Sequence, residues 1–207
     1  MLEEPFIQLQ PEVRVHHSIH LSFILSLTYQ FIYYIIFLYS IRFTKLIPNH
    51  SIIIPLCGDV TSQSSLSELS RTVNDQTGYI NLLITNAGTG GPGLKGIHAR
   101  ASVTDFVKAA WTSPMSEFNE VYGLNCTSVY YTILAFLELL DKGNQKKNCA
   151  VKSQVIATAS MAGYMRDPRW GFAYCSSKAA LVSMIKCFST YCVPWGIRFN
   201  AIAAGCE

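Results

Sequence analysis

The sequence predicts an α/β fold built on a parallel sheet, and three observations predict it. Short apolar runs near 52–57, 80–85, 153–158 and 197–203 read as buried strands. Helical patterns separate each run from the next, the alternation that yields parallel strands joined by crossover helices. A chain of 207 residues, 50% of them hydrophobic, suits one domain with a sizeable core.

Taken in order, residues 1–18 are polar, with Pro5 and Pro11 breaking any helix, and read as a loose tail. His16, His17 and His20 follow. No third ligand stands near them, so they read as solvated and no metal is expected. Ile19 to Ile41 contains no Asp, Glu, Lys or Arg, and a helix of that length, at ~1.5 Å per residue, reaches the thickness of a hydrocarbon core. As a signal anchor, with Arg42 and Lys45 after it and Glu3, Glu4 and Glu12 before it, it would leave the rest of the chain in the cytosol. The same run is crowded with β-branched and aromatic residues, including Tyr29, Tyr33, Tyr34 and Tyr39, which equally suits a strand or core segment. Residues 1–50 are therefore set apart as an atypical tail and apolar segment, and 51–207 as the α/β domain.

Ser51 to Cys57 forms a strand, Gly58-Asp59 a turn, and Ser62 to Val73 a helix with Leu66, Leu69 and Val73 at helical spacing. Asp59 suits the start of that helix. Ile80 to Gly88 is the next strand. The following Gly88-Thr89-Gly90-Gly91-Pro92-Gly93 satisfies G-x-G-x-x-G formally, but Pro92 opens a loop where a dinucleotide turn must open a helix. Ser113-Pro114 suits an N-cap and first turn, and Phe118, Val121, Tyr122, Leu124, Val129, Ile133 and Phe136 carry the apolar face of a helix to about Leu140. Asn125 falls in mid-helix, a poor place for Asn unless its amide is engaged. Asp141 to Asn148 is a polar turn. Val155 to Ser160 is a strand that delivers a serine at its end, and Arg166 to Gly171, with Trp170 in it, make a loop between Ser160 and Tyr174 whose arginines could meet an anion. Leu181, Met184, Ile185 and Phe188 mark the buried side of another helix, and Ile197 to Gly205 is the last strand.

The chemistry centres on Ala173-Tyr174-Cys175-Ser176-Ser177-Lys178, which puts a phenol and an ammonium one helical turn apart on one face. A phenol on its own titrates near ~10, and a neighbouring ammonium favours its phenolate, so such a pair suits acid/base work. A net charge of +3 with no basic-aromatic stretch excludes nucleic acid as an expected partner. Seven cysteines without a C-x-x-C spacing suggest neither a disulfide framework nor zinc, and fit a reducing compartment.

With Tyr174 and Lys178, the serine strand ending at Ser160 and the Thr85-Asn86-Ala87-Gly88 strand end, residues 51–205 resemble the short-chain dehydrogenase/reductase family. The 3-oxoacyl-carrier-protein reductases are the nearest flavour. The resemblance implies a truncated Rossmann-type doubly wound parallel sheet preceded by an apolar N-terminal segment. It implies catalysis by Asn125, Ser160, Tyr174 and Lys178, and contacts to NAD(P), with NADP slightly favoured, from Asp59, Asn86, Ala87, Gly88, Tyr174 and Lys178. The substrate would be a small carbonyl or alcohol, the 51–207 portion cytoplasmic, and a homo-oligomer and a membrane contact through 19–41 remain open. Three departures stand out: Thr85 and Ala204 replace the family's Asn and Pro, and residues 1–50 contain no glycine and so no T-G-x-x-x-G-x-G turn. The early stop at Glu207 also leaves out the family's substrate-covering helices. The alternative is thus an inactive fragment or membrane-anchored remnant unable to bind cofactor, with 1–50 the product of a mis-assigned exon.

Overall fold

The computed structural model describes residues 20–26, 32–38, 53–93, 101–168 and 170–205. Among the described residues six strands form one sheet: β1 His20–Ser26, β2 Ile32–Leu38, β3 Ile53–Cys57, β4 Leu82–Thr85, β5 Gln154–Ser160 and β6 Arg198–Ala204. Their spatial order is β3-β2-β1-β4-β5-β6. That is the 3-2-1-4-5-6 order of a Rossmann-type sheet. β4, β5 and β6 pair in parallel, from Leu82 opposite Gln154 to Ser160 opposite Ala204, and β2 pairs in parallel with β3. β1 alone runs backwards, antiparallel to both β2 and β4.

The strands at His20–Ser26 and Ile32–Leu38 correct the expectation of a membrane-spanning helix through 19–41, so far as that segment is described. Its β-branched and aromatic residues favour an extended backbone, and two free strand edges, on β3 and β4, offer hydrogen-bond partners that a lone helix would not use. Residues 19, 27–31 and 39–41 lie outside the described residues, as do His16 and His17. Another stretch, Met115–Lys146, is long and apolar enough to cross a membrane, but its apolar side is packed inside the protein.

Helix α1, Gln63–Thr77, begins where the Ser62 hydroxyl accepts from Ser65 N–H and ends at Gly78 in the left-handed conformation. Then come α2 Val103–Ala110, α3 Met115–Tyr122, a π-helical turn Gly123–Thr127, α4 Ser128–Lys146 and α5 Phe172–Tyr191. Pro114, rather than Ser113, occupies the N-cap of α3, and no side chain caps it. α2 stands outside the elements expected from the sequence, although Val103, Phe106, Val107 and Ala110 stand at helical spacing; none of them is buried.

Leu66, Leu69 and Val73 of α1, Ile133, Phe136 and Leu140 of α4, and Leu181 and Ile185 of α5 meet Leu83, Val155, Ala157 and Phe199 of the sheet in one core. Leu83, Val155 and Phe199 are register partners across three strands and so share a face. The adjacent register, with Leu82, Ile84, Ile156 and Asn200, is half-buried or exposed. Burying the alternate residues of β4 and β5 under α4 and α5 fixes the register, because a slip of one residue would turn that face out.

Candidate active site

The C-terminal ends of β4, β5 and β6 open on a cleft of about 490 Å³, lined among others by Asn86, Gly88, Thr158, Ser160, Tyr174 and Lys178. Strand alternation buries Val155, Ala157 and Ala159 and carries Ser160 to the mouth of β5. A short 3₁₀ turn, Met161–Gly163, follows at once, and the Ser160 hydroxyl oxygen accepts from Ala162 N–H at 3.1 Å. Its own proton is left to serve another acceptor.

Tyr174 stands in the first turn of α5 and Lys178 one turn further on. Lys178 is 4% exposed and donates to the Thr158 carbonyl at 2.7 Å. Its Nζ sits 5.8 Å from the centroid of the Tyr174 ring. Burial pulls the Lys178 pKa below the ordinary lysine value, while Cys126 nearby works in the opposite sense. Burial in turn raises the Cys126 thiol, against the Lys178 charge and a backbone hydrogen bond at Leu181.

Thr158 ties the two sides of the cleft together. Its carbonyl holds Lys178, and its hydroxyl donates to Asn86 Oδ1 at 2.7 Å, which leaves the Asn86 NH2 as a donor. Gly88 passes so close to the helices that a Cβ there would lie 3.0 Å from Asn125 Oδ1 and 3.4 Å from Lys178 Nζ. Asn125, fully buried in the π-helical turn, bonds both backbone polar atoms of Thr89: Oδ1 accepts from its N–H at 2.8 Å and Nδ2 donates to its carbonyl at 3.0 Å. A π-helical turn re-aims side chains that an α-helix would place elsewhere, so the amide of Asn125 has partners in mid-helix.

Ser160, Tyr174, Lys178, Asn86 and Gly88 are thus brought to one cleft, with Asn125 behind Gly88. Ala87 is buried beside it. Asp59 is not among the residues lining the cleft; it is exposed at the end of β3, where Oδ1 accepts from the N–H and hydroxyl of Thr61. Arg166 is exposed and also outside the lining, and Arg169 lies outside the described residues. Trp170, from the loop expected near the substrate, lines the cleft, and Thr158 joins it without having been expected from the sequence. The period of two along β5 does signal Thr158, which shares a strand face with Ser160.

An α/β protein with a serine, a tyrosine and a lysine at the carboxyl ends of parallel strands narrows the choice of family sharply. The short chain dehydrogenase model matches residues 44–206, and the chain belongs to this family. It is 39% identical over 157 residues to the short-chain dehydrogenase/reductase PhomF' of Diaporthe leptostromiformis, covering 76% of this chain and 54% of that protein. Among solved structures it is similar to the Pseudomonas aeruginosa RhlG/NADP active-site complex, with a TM-score of 0.60, 25% identity, and coverage of 74% and 53%. An NAD+-bound xylitol dehydrogenase gives a TM-score of 0.58 at 27% identity, covering 74% of this chain and 50% of that one. The chain spans about half the length of the curated relatives it matches.

The donor set of the cleft fits the sugar end of a nicotinamide dinucleotide. Lys178 keeps two N–H donors beyond the one given to Thr158, and Asn86 keeps its NH2, a set suited to hydroxyl groups. The described residues offer no helix N-terminus following β1, the place where a Rossmann-type fold holds a pyrophosphate.

Proposed function

We propose that the chain carries the catalytic half of an NAD(P)-dependent oxidoreductase that interconverts a small carbonyl and its alcohol, with NADP ahead of NAD. The observation that carries this reading is the convergence of Ser160, Tyr174 and Lys178 on one cleft with Asn86 and Gly88. When bound, the nicotinamide supplies or accepts the hydride. Ser160, its oxygen already bonded by Ala162 N–H, turns its proton toward the substrate oxygen and orients the carbonyl. Tyr174 gives the developing alkoxide a proton, and the Lys178 ammonium stabilises the phenolate left behind. Asn125, behind Gly88, completes a proton relay that links Lys178 to solvent, and Asp59 reaches the adenine end from the edge of β3. The domain works in the cytosol, and α4 and α5, which leave Tyr130, Leu134 and Tyr191 exposed, offer a surface for a homo-oligomer.

A second reading is favoured by the reversed β1 and by the absence of glycine from residues 1–50: the catalytic residues are present but the chain holds a dinucleotide poorly. Each charge-assisted hydrogen bond lost at the pyrophosphate weakens binding by about 1.5–3 kcal/mol. At ~1.4 kcal/mol per tenfold, two such losses cost roughly two to four orders of magnitude in affinity. Calorimetric titration with NADH and NADPH separates the readings. It should be run beside a chimera whose residues before β3 are replaced by a strand, glycine turn, helix and strand. Turnover of a ketone panel by the chimera and its loss in Tyr174→Phe are the results expected of the catalytic site. Micromolar binding by the chain itself would overturn the second reading, and a chimera that binds without turnover would overturn the first.

A further inference from the structure

Resting on this reading of the site, we infer that Ser177 is a positioning residue, acting through Asn125 to hold the Gly88-Thr89 wall of the cleft against Lys178. Ser177 lies between Tyr174 and Lys178 on α5 but on the helix face turned away from the cleft, and it is fully buried. Its hydroxyl donates to the Tyr174 carbonyl at 2.8 Å and accepts from Asn125 Nδ2 at 2.9 Å. Its own carbonyl accepts from the Cys126 thiol at 3.1 Å. Two consecutive residues of the π-helical turn therefore grip this one residue of α5.

The chain of bonds runs from the Tyr174 carbonyl to Ser177, to Asn125, and to Thr89, and every link is directional. Thr89 itself dictates which way the amide points, since the reverse would set Oδ1 against its carbonyl; the Ser177 oxygen takes the second N–H and fixes where the amide sits. With Oδ1 on Thr89 N–H, one N–H on Thr89 C=O and the other on Ser177, every polar position of the amide is taken and Thr89 is held to α5. Gly88, immediately before Thr89, then sits where even a methyl group would press on Asn125 and Lys178. The position of the wall relative to Lys178 is thus set from inside the core rather than by the ligand. Without the hydroxyl, a buried Asn125 N–H loses its partner, and buried polar groups without partners are costly enough to force a rearrangement.

The test is Ser177→Ala, read by amide hydrogen exchange resolved by residue, which requires neither substrate nor cofactor and so stands apart from whether the chain turns over. Exchange at Thr89 should accelerate at least tenfold, while Ile133 and Val155, in the core under the same helices, stay at wild-type rates. A merely structural role would loosen the amides of α5 together and leave Thr89 no faster than the rest. A folded variant with unchanged exchange at Thr89, or with that uniform loosening, overturns the inference. Should the variant fail to fold, the wild-type chain decides. Nuclear Overhauser contacts between the Asn125 side-chain NH2 and the Ser177 Hβ protons, with slow exchange of that NH2, are expected; their absence overturns the assignment.

Discussion

Replacing Gly163 by alanine puts a methyl group against the main chain of α5, the helix that carries Tyr174 and Lys178. A Cβ at this position would lie 2.8 Å from the Lys178 carbonyl carbon, 2.9 Å from Ala179 N and 3.0 Å from Lys178 O. All three are backbone atoms inside α5, so no flexible side chain can swing aside. Restoring an ordinary carbon-carbon separation of ~3.5 Å means that the Met161–Gly163 turn must retreat by about 0.7 Å. Ser160 directly precedes that turn and would move with it, away from Tyr174 and Lys178. Overpacking of this kind costs about 1–3 kcal/mol. In a domain of this size each kcal/mol lowers Tm by ~2–4 °C. A misplacement approaching 1 Å costs up to ~100-fold in turnover, which the chimera with a restored glycine turn can report. Thermal and urea denaturation of Gly163→Ala in the chain itself provide the first readout. A Nuclear Overhauser contact between Gly163 Hα and the Ala179 amide in the wild type provides the second. A wild-type midpoint in the variant, or no such contact in the parent, would refute the reasoning, since either means that turn and helix do not abut.

Two further perturbations probe the same cleft. Thr158→Val removes the hydroxyl bonded to Asn86 while keeping the carbonyl that holds Lys178; a loss of about 1 kcal/mol is expected in urea denaturation, and an unchanged midpoint would refute the bond's contribution. Lys178→Met tests burial of the ammonium. The folded pKa of Lys178 is depressed, so between that value and the unfolded value near ~10.4 the unfolded chain binds more protons and stability rises with pH. The variant lacks this rise, so any advantage it has over the parent should shrink as pH climbs through the window; a pH-independent difference between the two would contradict it.

Much of the fold is legible because burial imposes periods on the sequence. β3, β5 and β6 fall within two residues of the apolar runs that predict them, and α1 carries its three core residues at helical spacing. β4 starts later than its run. Ile80 N–H is taken by the Leu139 carbonyl of α4, so the apolar residue belongs to the core but not to the strand ladder. The cleft is legible because Ser160, Tyr174 and Lys178 lie at the ends of elements whose ends can be read. What escapes is set by contacts between distant segments. The π-helical turn has no compositional mark apart from a buried Asn, and its second partner, Ser177, is 52 residues away. The strands at His20–Ser26 and Ile32–Leu38 escape for a different reason: a run without charges and rich in β-branched residues satisfies both a spanning helix and paired strands, and only the partners available decide.

The direction of β1 bears most on function. A Rossmann-type sheet binds its dinucleotide where the first strand ends and a helix begins, at the carboxyl edge of the sheet. In this chain β1 pairs antiparallel with β4, Phe23 opposite Ile84 and Leu25 opposite Leu82. Moving along β1 toward its C-terminus therefore means moving toward the beginning of β4, away from Asn86, Gly88 and the cleft. The strand occupies the first position of the sheet, and its hydrogen bonds complete the ladder, yet its carboxyl end points to the opposite edge. Strand order alone fixes which edges are paired; strand direction fixes which ends carry donors to the ligand. The two halves of the cofactor thus depend on different parts of the sequence. On the proposed reading, the donors for the sugar next to the nicotinamide would come from the parallel strands β4 and β5 and from α5. The donors for the pyrophosphate depend on a glycine turn and a helix N-terminus that a reversed strand cannot present at the cleft, whatever its sequence. Glycines introduced between β1 and β2 would therefore leave dinucleotide affinity unchanged, whereas replacing the whole segment before β3 by a forward strand, turn and helix would raise it.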